Sequence, residues 1–268
     1  MEKISSFQNP KIRNLIKLHK AQERKEQKLF LVEGLKEIKM AIEAGYIMDS
    51  LFWCPGLGIL KPEIENLTET NKSIYEISSE VFARIAYRDK SDGLMGVFCQ
   101  KKLELNRLVP DKNTLIIILE SIEKPGNLGA ILRTADAASV FAILVCDLKT
   151  DIFNPNIIRS SIGCLFTNQV TSCTNEEALK WLRKHEVIIY ASALHKDSKP
   201  YNQFNYSKNS IALVMGTESE GLSEFWLKNC DEKIIIPMLG KIDSLNVSNS
   251  TAILVYEVMR QRNFTKKV

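Results

Sequence analysis

The chain reads as two successive series of apolar runs separated by amphipathic stretches. In the first series, Asn9-Pro10 offers a cap and a first-turn proline to a helix on which Ile12, Leu15, Ile16 and His19 share one face. Lys28–Glu33 and Ser50–Cys54 read as short buried strands, with an amphipathic helix from Gly34 to Ala44 between them, ended by Gly45. A helix near 60–69, a strand at Ser73–Ile77, a helix from Ser79 and a strand at Leu94–Gln100 complete a small α/β unit.

The polar run 101–113, which contains Pro110, breaks the pattern. It places a linker at 106–113 between a domain of residues 1–105 and one of residues 114–268. In the second series, strands are predicted at Leu115–Glu120, Ala142–Asp147, Asn168–Thr171, Val187–Ala193, Ile211–Gly216 and Lys233–Pro237. Helices are predicted near 128–138, 155–161, 175–184, 222–229 and 244–262. Unbroken Val/Ile/Leu runs alternating with helices predict a mostly parallel sheet covered on both faces.

Composition removes several classes. The 268 residues are 45% hydrophobic and 25% charged, an ordinary globular balance rather than a fibrous or disordered one. No apolar run approaches the length that spans a bilayer, and the polar opening Met1-Glu2-Lys3 is unlike a signal peptide, so a cytoplasmic protein without a membrane partner is expected. The six cysteines are scattered singly and the three histidines form no ligand pair, so neither a metal site nor a disulfide framework is expected. The net charge of +4 is unevenly spread: residues 1–30 hold eight Lys/Arg against Glu2, Glu23 and Glu26. A solvated helical face explains a run of this size, and it also suits a polyanion.

Candidate chemistry gathers at three strand–loop–helix junctions of the second series. Lys124-Pro-Gly-Asn-Leu-Gly-Ala-Ile-Leu-Arg-Thr-Ala-Asp136 follows the strand ending at Glu120; Asn127 is placed to cap the helix and Arg133 lies about two turns in. Val214-Met-Gly-Thr-Glu-Ser-Glu-Gly-Leu-Ser223 puts Glu218 and Glu220 at the C-terminal end of a strand, where open α/β sheets bind ligands. Capping of the helix near 222 accounts for Glu220 better than for Glu218. In the third junction, Ile236-Pro-Met238 leads through Gly240 to Asp243-Ser-Leu-Asn-Val-Ser-Asn-Ser250. So many small polar residues at a helix entrance exceed what a cap requires and suggest a pocket wall.

In order, N-x-G-x-x-x-R, G-x-E-x-x-G-L and I-P-M…D-S-L-N-V-S resemble the three motifs of the SpoU (TrmH-like) branch of the SPOUT methyltransferases. The likeness covers roughly 114–262, and Asn154–Gly163 is similar to a further family segment. Ser6–Pro10 and Phe30-Leu-Val-Glu-Gly34 resemble the substrate-binding domain that precedes many such catalytic domains. Ser139 departs from the pattern, standing where the family often has glycine, and Ser248–Thr251 is more polar than usual.

The resemblance implies an α/β catalytic domain with a deep trefoil knot, a smaller α/β substrate-binding domain before it, and a homodimer. It implies transfer of a methyl group from S-adenosylmethionine to a ribose 2′-hydroxyl of RNA. Ribosomal RNA is favoured over transfer RNA, and a catalytically silent RNA-binding module is the alternative from another class. Asn127, Arg133, Glu218, Ser244 and Asn246 are the implied catalytic residues, and Met215, Gly216, Ile236, Met238 and Leu245 the implied cofactor contacts. RNA phosphates would then meet Lys11, Arg13, Lys17 and Arg24 of the basic N-terminus.

Overall fold

The computed structural model describes residues 2–65, 67, 73–88, 90–148, 151–217 and 220–265. The chain divides into two compact units, Met1–Lys101 with Asp151–Thr167, and Lys102–Thr150 with Asn168–Val268. Among the described residues no helix is long and apolar enough to cross a membrane.

The first unit is built on β1 (Glu2–Ile4), β2 (Leu29–Glu33), β3 (Met48–Trp53), β4 (Ser73–Ile77) and β5 (Leu94–Cys99), in the order β1-β4-β3-β5-β2. β5 runs antiparallel to β3 and β2, while β1, β4 and β3 are parallel. Asn9 caps the helix Pro10–Leu18 by accepting from the Lys11 N–H, as its sequence predicts. The buried stripe, however, is Ile12, Leu15 and Leu18, and Ile16 is exposed. The expected single helix stops at Leu18 and a second, Ala21–Gln27, follows.

One sheet face packs Ile12, Leu15, Leu31, Phe52, Phe82 and Val97 into a core. The helix Pro155–Ser160, which the sequence pattern places within the second series, packs in the first unit, as does a further short helix, Cys164–Thr167. Phe153 stacks on Phe30 with ring centroids 4.5 Å apart, and Phe166 meets Tyr46 edge-on at 5.1 Å.

The second unit carries β6 (Leu115–Glu120), β7 (Ala142–Cys146), β8 (Val170–Cys173), β9 (Ile188–Ser192), β10 (Lys199–Pro200), β11 (Ile211–Met215) and β12 (Glu232–Ile235). Their order is β10-β12-β9-β11-β6-β7-β8, and each paired neighbour is parallel. β6 and β11 lie at the centre and bury every residue, which is why their sequences show no alternation. The two-residue β10, like β1, has no hydrophobic signature and was not anticipated by the periodicity.

The crossing helices are Pro125–Ala137, Asn175–Lys184, Glu224–Asn229 and Val247–Gln261. Helix Asn175–Lys184 starts with a capping box between Thr174 and Glu177. Asn127 does not cap the first of these helices: Pro125 occupies the first turn and Lys124 the cap position, so Asn127 lies within the helix. Glu220 likewise is not a cap, because Ser223 holds that position before Glu224.

Candidate active site

The parallel strands β9, β11 and β12 open at their C-terminal ends on a cleft of about 650 Å³ within the second unit. Crevices at this edge are where open α/β sheets bind ligands, and the size suits a nucleoside-sized molecule. All five residues expected to meet the methyl donor line it: Met215 and Gly216 from the end of β11, Ile236 and Met238 from beyond β12, and Leu245. Ser244 and Asn246 line it too. The wall is therefore apolar along one side and polar where the third motif enters the helix Val247–Gln261.

The loop after β11 is tightly folded. Thr217 N–H donates to the Gly221 carbonyl at 3.0 Å and Gly221 N–H returns to the Thr217 carbonyl at 3.2 Å. A Cβ at Gly216 would overlap the Gly221 backbone, so only glycine lets the two segments lie this close beside the cleft. Gly221 itself has φ +70°, a left-handed value that also favours glycine. Such a backbone-lined cradle fits the adenosyl part of S-adenosylmethionine, which needs close approach by amide and carbonyl groups flanked by apolar side chains.

Asn246 joins two motifs. Its Oδ1 accepts from Ser248 N–H at 3.0 Å, capping the helix Val247–Gln261, while its Nδ2 donates to Asn127 Oδ1 at 3.2 Å. The helix bearing Asn127 also packs along the one that Asn246 begins. Ser244 Oγ donates to the Asp243 carboxylate at 3.2 Å. Arg133 is exposed on its helix and is not among the described residues lining the cleft. Glu218, the remaining candidate, lies outside the described residues.

Two features escaped the sequence reading. Thr217, Gly221 and Leu222 line the cleft, and Glu120 is a buried carboxylate at the end of β6. An acid closing a run of five aliphatic residues was the available signal for Glu120. Nearby, the Asp147 carboxyl is pushed above the usual carboxylate range by burial, and by the charges of Glu176 and Glu120.

In the first unit, Arg13 and Lys17 are exposed on helix Pro10–Leu18; Lys11 pairs with Glu2 at 3.3 Å and lies over the Tyr75 ring. Arg24 is different from the expectation. It is buried, and its guanidinium binds Asp151 at 2.5 Å and the Leu18 and His19 carbonyls at 2.9 and 2.8 Å. All of this charge is used internally, so Arg24 holds the segment from 151 rather than a phosphate.

Comparison with known proteins agrees with this architecture. The SpoU rRNA Methylase family model matches residues 114–256, and the MRM3-like substrate binding domain matches residues 9–96. The chain is 29% identical over 262 residues to the 23S rRNA (guanosine(2553)-2′-O)-methyltransferase RlmP of Bacillus subtilis (strain 168), covering 96% of this chain and 99% of that one. A solved RNA 2′-O ribose methyltransferase is 35% identical, with a TM-score of 0.83 over 97% of this chain and 99% of its own. The AdoMet-bound rRNA methyltransferase of Sinorhizobium meliloti gives a TM-score of 0.89 at 27% identity, over 97% of each chain. With the family's domain spanning more than half its length and a cleft built from that domain's second and third motifs, the chain belongs to the SpoU rRNA methylase family.

Proposed function

We propose that the chain transfers a methyl group from S-adenosylmethionine to a ribose 2′-hydroxyl of 23S ribosomal RNA. The observation that carries this reading is the convergence of Met215, Gly216, Ser244, Leu245 and Asn246 on one cleft, with Asn127 tied to Asn246 at its edge. A full-length likeness to a 23S rRNA 2′-O-methyltransferase supports the choice of RNA. The intact third motif at the cleft argues against a silent binding module.

The sulfonium supplies an electrophilic methyl, so the protein's task is to align a poor alcohol nucleophile and stabilise the charge it develops. A guanidinium carries its charge throughout, so Arg133 acts as an electrostatic group rather than a base: it holds a phosphate of the target nucleotide and stabilises the negative charge on the 2′-oxygen as the O–CH3 bond forms, the S–CH3 bond breaks and the hydroxyl proton passes to solvent water. Glu218 orients Arg133. Ser244, Asn246 and Asn127 supply hydrogen-bonding groups to the ribose, with Asn246 held in place by its own capping bond.

The first unit forms the RNA-binding part, with Lys11, Arg13 and Lys17 facing phosphates. The chain works in the cytoplasm as a homodimer, and its second unit contains the family's trefoil knot. The exposed pair Tyr256 and Phe264, 6.4 Å apart at the end of the last helix, supplies an aromatic surface for a second copy. Mapping 2′-O-methylation in RNA from cells with and without the protein tests the assignment. Loss of a single 23S rRNA site is expected; loss confined to transfer RNA would move the substrate, and no loss together with no S-adenosylmethionine binding would overturn the reading.

A further inference from the structure

Glu120 is buried at the end of β6, and its carboxylate is fully engaged within the second unit. Oε1 accepts from Asn175 Nδ2 at 3.0 Å and from Ser223 Oγ at 2.6 Å; Oε2 accepts from the Ser223 N–H at 2.8 Å. Asn175 is saturated in turn: Nδ2 also donates to Asp147 at 2.5 Å, and Oδ1 accepts from the wholly buried Trp226 Nε1 at 2.6 Å. No cation completes this set among its described partners. A buried carboxylate is expensive to keep, and its retention here rests on directed hydrogen bonds from neutral donors.

Ser223 shows what the carboxylate holds. It occupies the cap position before the helix Glu224–Asn229, yet its hydroxyl makes no capping bond. A serine there ordinarily accepts from the first turn of the helix; this one donates to Glu120 instead. Ser223 directly follows Gly221 and Leu222, both of which line the cleft. The loop is thus pinned at its neck by the Thr217–Gly221 pair and at its exit by a carboxylate from the neighbouring strand, 103 residues away in sequence.

We propose that Glu120 is a positioning residue for methyl transfer: held by Asn175, it fixes Ser223 and with it the adjoining Gly221-Leu222 segment, so that Gly216, Gly221 and Leu222 keep the shape that receives the methyl donor. This rests on the reading of the cleft as the S-adenosylmethionine site.

The test uses the full chain and four proteins: wild type, Glu120→Gln, Ser223→Ala and Ser223→Thr. S-adenosylmethionine binding is measured by calorimetry, and kcat and KM are measured on unmodified 23S rRNA. Glu120→Gln and Ser223→Ala are expected to raise the Kd for S-adenosylmethionine about tenfold, the scale of one charge-assisted hydrogen bond, without changing RNA affinity. Ser223→Thr keeps the hydroxyl and restores the wild-type value. A lowered Tm with Kd, KM and kcat all unchanged would reduce the network to a structural clamp and overturn the proposal. A wild-type chain that binds no S-adenosylmethionine would instead overturn the functional reading on which it stands.

Discussion

Asn246 Nδ2 lies 3.2 Å from Asn127 Oδ1, a hydrogen bond between residues 119 positions apart that ties the third motif to the first. The same Asn246 side chain caps its own helix through Ser248. These two duties are separable by substitution. Asn246→Asp keeps the capping acceptor and loses the donor to Asn127; Asn246→Ala loses both. Thermal unfolding should place Asn246→Asp near wild type and Asn246→Ala about 1 kcal/mol below it, while methyl transfer falls at least tenfold in each. Wild-type turnover in Asn246→Asp would remove the tie from the mechanism.

Arg133 is assigned a phosphate and a developing oxyanion, which calls for the planar fork of a guanidinium. Arg133→Lys should therefore lower kcat by about a hundredfold, on the order of a lost oxyanion donor, with S-adenosylmethionine affinity intact. Near-normal turnover of that variant would sink the role.

The burial of Arg24 separates stability from RNA binding. Arg24→Ala leaves Asp151 and two backbone carbonyls without their partner and should cost about 3 kcal/mol of unfolding free energy. Arg13→Ala and Lys17→Ala, by contrast, should leave denaturant midpoints unmoved and each reduce the slope of log K for RNA against log salt by about 0.7–0.9. An unchanged slope for both variants would place the phosphate contacts on another face.

Ser139, where the family often has glycine, has φ +51° just after the helix Pro125–Ala137. Its N–H bonds the Asp136 carbonyl and the Val140 N–H bonds the Ala135 carbonyl, closing the helix end. A left-handed backbone strains a residue with a Cβ, which is the physical reason for glycine there. Ser139→Gly should raise stability by about 0.5–1 kcal/mol, the strain relief being partly offset by unfolded-chain entropy. A lower Tm for this variant would contradict that account.

Burial holds the His19 imidazole below its ordinary 6.5, with Arg24 adding to the effect; the Ile85 carbonyl hydrogen bond and Glu33 oppose it. Below pH 6.5 the unfolded chain therefore takes up protons that the folded chain resists. Stability is fully present above that pH and is lost as pH falls through the depressed folded value. Denaturant midpoints measured from about pH 8 to about pH 5 should fall more steeply for wild type than for His19→Gln. Parallel curves would exclude His19 as the source.

Element type and seven of the cleft-lining residues, Met215, Gly216, Ile236, Met238, Ser244, Leu245 and Asn246, were legible from sequence because their signals are local. β6 and β11 show as unbroken aliphatic runs, and the small polar entrance to the last helix shows as a cluster within seven positions, 244–250. Helix caps were legible only where one interpretation fitted: Asn9 caps as expected, whereas Pro125 took the first turn and Asn127, within the helix, meets Asn246. The tertiary structure alone decided which distant partner each polar group found. Spacing cannot show that Glu120 reaches Ser223, that Arg24 spends its charge on Asp151, or that 151–167 packs with the first unit. Hydrophobic period is imposed residue by residue along the chain, but the saturation of a buried charge is a property of the packed interior, where only the fold brings donor and acceptor together.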